Sequence, residues 1–216
     1  MRVRKLFSLL SLAALISAPI SAKADDLHSV LDRLNAAAKK FHSVSASVVF
    51  DTEMQDPVPD SDIQKGIAYY QRDGSNFKMA AHFNDRNGRP FKTAYNISGG
   101  KINFFDGTDV HPYDASKWQA YLILGFGASG TDLADKWNIT YIGSSVIDGV
   151  NVAQLELVAK DPQVRKTIAK ITIWIDPDRG VSLKQRFDES PGTYRICTYT
   201  DIKVNTSLPK NAFDLK

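Results

Sequence analysis

The sequence predicts a mainly β (α+β) fold: a strongly curved antiparallel half-barrel of about ten or eleven strands, with helices laid across its open side as a lid. Three observations predict it. From Phe41 to Val204 apolar residues recur mostly at every second position. Turn signals such as Asp73-Gly74, Gly99-Gly100, Asp148-Gly149 and Ser190-Pro191-Gly192 cut that run into strands. Helical periodicity occurs at two places only, the start of the chain and its middle. Cys197 is the single cysteine, so no intramolecular disulfide can form and stability must come from a core. One antiparallel sheet with two helical segments builds that core most economically by curving around them.

Residues 1–5, MRVRK, are a basic leader. Residues 6–20, LFSLLSLAALISAPI, form an apolar run too short and wrongly flanked for a membrane span, and SAKA supplies small residues at a cleavage site. Residues 1–24 therefore read as a secretory signal peptide, with cleavage expected after Ala24 and residues 25–216 as a single domain. No cysteine follows the apolar run, so a lipidated N-terminal cysteine is not expected. The expected destination is a Gram-negative periplasm, export from a Gram-positive cell being the other route.

Removing the signal changes the charge. Of 27 Lys and Arg residues, four (Arg2, Arg4, Lys5, Lys23) lie in the signal, leaving 23 against 24 acidic residues, a formal net charge of −1. That balance gives no reason to expect nucleic acid or an anionic membrane as partner. A lone thiol in an oxidising compartment is expected to be a buried strand residue.

The elements follow in order. Asp25-Asp26 can cap a helix running to about Lys40, with Leu27, Val30, Leu31 and Leu34 on one face. Val44, Ala46, Val48 and Phe50 then alternate with serines as a first strand. Further strands are expected over 63–72, 76–84, 91–98, 101–105 and 109–113, and again over 137–147, 150–160, 168–176, 181–188 and 193–204. Residues 114–137 interrupt them with a helical pattern carrying Trp118, Tyr121, Leu122 and Leu124. Thr131 is the expected cap of a second short helix containing Leu133 and Ala134. The glycine-rich stretch GFGASG, residues 125–130, follows a helical pattern rather than a strand, so it reads as a flexible lid hinge, not a phosphate loop.

Chemistry is hard to find. His28, His42, His82 and His111 are scattered, without the paired spacing of a metal site. There is no G-x-S-x-G elbow, Cys197 sits in a strand without a catalytic signature, and Asp106, Asp148, Asp176 and Asp178 occupy turns. No enzyme activity, cofactor or metal is expected.

Several local patterns carry a resemblance. LDRLNAAAKKFHSVSASVVF is similar to a helix running into F-H/x-S-x-x-A and a first strand, and GIAYYQRDGSNFKM to G-x-(apolar)-(aromatic)-x-x-R-P-x-x-F. DGTDVHPYD is similar to D-G-x-x-(apolar)-x-x-Y-D/N, and the last residues to N-x-x-(apolar)-P-x-x-x-F-x-(apolar). In this order they resemble the periplasmic outer-membrane lipoprotein-sorting family, the LolA-like lipoprotein carriers, over the whole mature chain. Asp73 stands where the family usually has proline. The hairpin 84–90 carries extra residues, which leaves the strand register between Phe77 and Asp106 open. It also leaves open whether Gly99-Gly100 or Asp106-Gly107 is the counterpart of the family's D-G turn.

The resemblance implies a LolA/LolB-like half-barrel that carries lipoprotein acyl chains in an apolar groove from inner to outer membrane. Its implied partners are acylated lipoproteins, an inner-membrane lipoprotein-releasing transporter and an outer-membrane receptor, with the carrier acting as a monomer. Strand parity puts Ala68, Tyr70 and Arg72 on one face and Phe77, Met79, Ala81 and Phe83 on one face of the next strand. If Arg72 points inward as the family's groove arginine does, the groove is expected to be lined by Tyr70, Arg72, Phe77, Met79 and Phe83. Trp118, Leu122 and Phe126 would join from the lid, and Ile171, Ile173 and Ile175 from the late strands. Arg72 is the expected lid latch. A carrier of another lipid, such as a glycolipid or polyprenoid, or a periplasmic lipid-sensing regulator would use a similar groove; the regulator would normally need a second domain.

Overall fold

The computed structural model describes residues 26–55, 58–73, 76–98, 100–114, 124–190 and 192–216. Helix α1 (Leu27–Ala38) starts where Asp26 accepts a hydrogen bond from the Ser29 N–H at 2.8 Å. Its apolar stripe buries Val30 and Leu34. Six strands follow: β1 (Ser43–Met54), β2 (Asp60–Asp73), β3 (Asn76–Arg86), β4 (Arg89–Ser98), β5 (Lys101–Phe105) and β6 (Val110–Asp114). Helix α2 (Gly130–Lys136) precedes β7 (Trp137–Ile147) and β8 (Val150–Ala159). The short helix α3 (Pro162–Arg165) precedes β9 (Lys170–Asp176), β10 (Val181–Ser190) and β11 (Thr193–Val204).

Among the described residues the eleven strands belong to one antiparallel sheet in the order β6-β5-β4-β3-β2-β1-β11-β10-β9-β8-β7. The first six strands meander outward to one edge. The chain then passes to the opposite edge, and β7 to β11 return until β11 pairs with β1. The edge strands β6 and β7 do not pair with each other, so the sheet stays open. Pairing shifts register at six places, for example between Ser45 and Ser47, Lys65 and Gly66, and Tyr141 and Gly143. Each such irregularity bends and twists its strand, which is how one long sheet curls into a half-barrel.

The structure closes the register questions. Asn87 and Gly88 form the two-residue β3–β4 turn with φ of 53° and 76°, the left-handed pair that a type I′ hairpin turn requires. Met79 then faces Ile97, and Phe83 faces Thr93. The Asp106-Gly107 turn, not Gly99-Gly100, leads into β6. Two local expectations change. Ser129 rather than Thr131 caps α2: its hydroxyl accepts from the Asp132 N–H at 3.0 Å, while the Asp132 carboxylate accepts from the Ser129 N–H at 3.2 Å. Thr131 instead donates to Asn35 Oδ1 on α1. Helix α3, capped by Asp161 with Pro162 in its first turn, is too short for periodicity to reveal.

Two apolar clusters fill the concave side. The first joins Val44, Val48, Ala68, Tyr70, Phe77 and Met79 with Phe126, Val181, Cys197 and Tyr199. The second lies beneath α1 and α2 and joins Val30, Leu34 and Leu133 to Leu155, Leu157, Ile171, Ile173 and Ile175. Half-buried Phe187 packs against both. A bidentate pair, Arg33 to Asp178 at 2.7 Å on both oxygens, ties α1 to the β9–β10 turn and holds the Asp178 carboxyl below the usual range.

The convex side is covered over β3 to β5 by residues 205–216. Asn205, at φ 57°, accepts from the His42 N–H and donates to the Lys40 carbonyl, each at 2.8 Å. Farther on, His82 Nε2 bonds the Ala212 carbonyl and Asn96 donates to the Phe213 carbonyl, both at 2.9 Å. Among the described residues no helix is long and apolar enough to cross a membrane.

Candidate functional site

The concave face of β1 to β4 is an aromatic wall. Cross-strand pairing sets Val44 opposite Tyr70, Tyr70 opposite Met79, and Arg72 opposite Phe77. Directly paired residues project from the same face, so Tyr70, Arg72, Phe77, Met79 and Phe83 share one surface, as parity predicts. Tyr70 packs on Phe77 with ring centroids 5.9 Å apart; farther along, Phe83 meets Phe50 at 6.2 Å and Tyr95 at 5.9 Å. Tyr70 is 1% exposed and Phe83 5%, whereas Phe50, Phe91, Tyr95, Ile102 and Phe187 are half-buried. The wall is thus packed at the Tyr70 end and partly uncovered at the Phe50–Tyr95 end.

The packed end is covered by residues 124–130. This stretch is not a flexible hinge: it docks on β10 as a ribbon. The Ser182 N–H donates to the Gly125 carbonyl at 2.7 Å, the Gly127 N–H donates to the Gly180 carbonyl at 2.9 Å, and Phe126 bridges Val181. Gly125 and Gly127 have φ of +80° and +67°, and a Cβ at Gly127 would lie 2.3 Å from the Phe41 ring. The glycines allow this close approach. Between them Phe126 is fully buried, stacked on Tyr70 at 4.0 Å and edge-on to Tyr199 at 4.8 Å.

A buried polar chain runs beneath the ribbon. The Tyr70 and Tyr199 hydroxyls are hydrogen-bonded, and Tyr199 donates to Gln185 Oε1 at 3.4 Å. Gln185 Nε2 in turn donates to the Leu124 carbonyl at 2.6 Å. Burial pushes both tyrosines well above the ordinary phenol value and the Cys197 thiol up to about 12, so all three stay neutral. The chain satisfies polar atoms that would otherwise be stranded in an apolar core.

The sequence-predicted residues fall into three groups. Tyr70, Phe77, Met79, Phe83 and Phe126 come together in the first cluster. Ile171, Ile173 and Ile175 do not join them: they lie in the second cluster, because α1 and α2 occupy that end of the sheet. Trp118 and Leu122 lie outside the described residues. Arg72 is half-buried beside Tyr70, with its backbone N–H on the His42 carbonyl at 2.8 Å. Its charge reaches Asp132 on α2, whose carboxyl is held below the usual range first by Ser129 and then by Arg72 and Lys136.

Sequence reasoning missed Phe50, Tyr95, Tyr199 and Arg195 as wall residues, although the strand alternation carried the first three. Arg195 pairs with Glu189 and lies 5.9 Å from the Phe50 ring centroid, on the same face as Phe187. Among the described residues no group of three or more His, Cys, Asp or Glu side chains is placed to hold a metal. The arrangement offers apolar and aromatic contact with a few satisfied polar groups, the chemistry of holding an apolar molecule.

No protein-family model and no curated protein matches the chain. Solved structures do. MucB in its complex with MucA, from Pseudomonas aeruginosa, is 14% identical over 88% of this chain and 61% of that one, at a TM-score of 0.54. An uncharacterised conserved protein from Thermus thermophilus is 11% identical over 86% and 91%, at 0.52. A putative outer-membrane lipoprotein-sorting domain from Vibrio parahaemolyticus is 14% identical over 88% and 97%, at 0.47. This chain spans about three-fifths of the MucB chain. At such identities the likeness is one of fold. An open, curved eleven-stranded antiparallel sheet with helices across its concave face is the half-barrel expected from the residues, and it is the fold in which this chain and MucB are alike.

Proposed function

We propose that the protein is a periplasmic carrier that takes up the acyl chains of lipoproteins against its concave wall and passes them from inner to outer membrane. The observation that carries this reading is the wall itself: packed under Phe126 at one end and left half-buried at Phe50, Phe91, Tyr95 and Phe187 at the other. Each acyl CH₂ left in water costs about 0.8 kcal/mol, so a lipid with tens of methylenes does not diffuse free across an aqueous compartment. A carrier must match that cost without greatly exceeding it, or release fails. Apolar contacts that Phe126 already makes with Tyr70 and Tyr199 are exchanged for cargo contacts, which keeps the net gain small. Arg72 acts as the latch between wall and α2, through its charge on Asp132. Residues 1–24 direct export, and residues 25–216 act as one monomeric domain.

Mass spectrometry of lipids co-purifying with the protein tests the reading, with Phe77→Glu as the wall variant. Acylated polypeptide on the wild type, lost in the variant, supports the sorting role. Free glycolipid or polyprenoid reassigns the cargo, and no lipid on the folded wild type overturns the carrier reading.

A second reading has one observation in its favour. MucB, which shares the fold, is found in complex with MucA. A regulator of that kind would bind a protein partner and use lipid as its signal. Capture of a membrane-anchored regulatory protein with no acylated polypeptide bound would favour it.

A further inference from the structure

The convex face carries a second concave feature, separated from the aromatic wall by the thickness of the sheet. Between β3–β5 and residues 211–216 lies a cleft of about 420 Å³, within the size range of small-ligand sites. Its apolar lining is Phe83, Phe91, Ala94, Phe105 and Leu215, of which Phe83, Ala94 and Phe105 are buried in the sheet. Lys92 Nζ and Lys216 Nζ each lie 5.6 Å from the Phe105 ring centroid, so two ammonium groups flank one aromatic ring. Lys92 has no carboxylate within ion-pair distance among the described residues. Asn84 and Asn211, both exposed, line the same cleft. Asp214 is the one side-chain carboxylate in the lining, against two lysines.

Pairing explains how the site arises. His82 faces Ala94, and Ala94 faces Phe105, so alternate residues of three neighbouring strands point to this side. The His82–Ala212 and Asn96–Phe213 hydrogen bonds then hold the C-terminal segment over them and form the second wall. Apolar contact and two ammonium groups around one ring together select one ligand chemistry. We infer that this cleft binds a small free carboxylate with an apolar tail, its anion between Lys92 and Lys216 and its tail along Phe105 and Leu215. Phe83 and Phe91 of the wall also border this cleft, so the two sites are told apart by residues that belong to one face only: Ala94, Asn211 and Leu215 here, Ile97 and Cys197 on the wall side.

The test uses decanoate, with decanol as the uncharged probe of the same length, and follows backbone amide shifts of the wild-type protein by NMR. Decanoate should saturate shifts at Ala94, Asn211 and Leu215, apart from any response at Ile97 and Cys197 on the wall side. Lys92→Gln with Lys216→Gln should weaken those cleft shifts about fivefold, the scale of two exposed ion pairs, while leaving wall shifts unchanged. Both lysines are exposed, so the variant keeps its fold. Cleft amides that ignore decanoate overturn the inference, as do cleft shifts equally strong with decanol or unaffected by the double substitution. A wall response without a cleft response would uphold the carrier reading and remove this one.

Discussion

Tyr70, on the second strand, and Phe126, 56 positions later in the connection between the sheet's two edges, stack with ring centroids 4.0 Å apart and planes 17° from parallel. Phe126→Ala removes this stack and the edge contact with Tyr199. It should destabilise the protein by about 3–5 kcal/mol, read as a lower urea midpoint. If the ribbon is also the element that cargo displaces, the variant should take up an apolar fluorescent probe more readily than wild type while still folded.

Gly127→Ala tests whether the glycine-rich ribbon is docked or mobile. A methyl group 2.3 Å from the Phe41 ring, on a backbone at φ +67°, combines a steric clash with a disfavoured conformation. A loss of about 2 kcal/mol or more is expected on those grounds. A neutral effect would return the ribbon to the hinge reading.

Cys197 should be inert while the protein is folded. Burial raises its thiol to about 12, so the reactive thiolate is a very small fraction at neutral pH, and the sulfur is enclosed besides. Iodoacetamide should label it slowly in buffer and rapidly in denaturing urea. Native labelling then reports opening of the wall.

Asp106 predicts an acid dependence. The Asp109 and Thr108 N–H groups, followed by His111, lower its carboxyl to about 2 from an ordinary 3.8. A depressed acid stabilises the fold above its unfolded value, and that contribution is lost as pH falls from about 4 toward about 2. Asp106→Asn should flatten the pH dependence of the urea midpoint over that window and lower the midpoint near neutrality, where the ionised carboxylate makes its full contribution.

Arg72→Leu tests the latch. Loss of one partly exposed charge interaction with Asp132 should weaken α2 docking by about 0.2–1 kcal/mol. Amide exchange in α2 should therefore quicken a few-fold, and bound lipid should leave sooner. Unchanged exchange and release would remove the latch from the proposal.

Most of the strand map was legible because its signals are local. The Asp148-Gly149 turn and the alternation in 137–147 and 193–204 depend on neighbours in sequence, and the observed β7 and β11 have those bounds. The wall was legible in part for the same reason: parity alone put Tyr70 and Arg72 on one face, with Phe77 and Met79 on one face of the next strand. Parity cannot say which strands lie under the same helix. That is why Ile171, Ile173 and Ile175, with the same pattern, belong to the core beneath α1 instead.

The sequence by itself determined the eleven strands, the first helix and the apolar face of each strand, since period and turn chemistry act over a few residues. Tertiary structure alone decided what a glycine-rich stretch does. The same GFGASG reads as a loose hinge until Val181, Phe41 and Tyr70 are brought against it by the β11–β1 closure. It decided the convex cleft as well, because Lys92 and Lys216 meet around Phe105 only when the C-terminal segment folds back over β3 to β5. Contacts between residues so far apart in the chain depend on strand order and curvature, which no local pattern encodes.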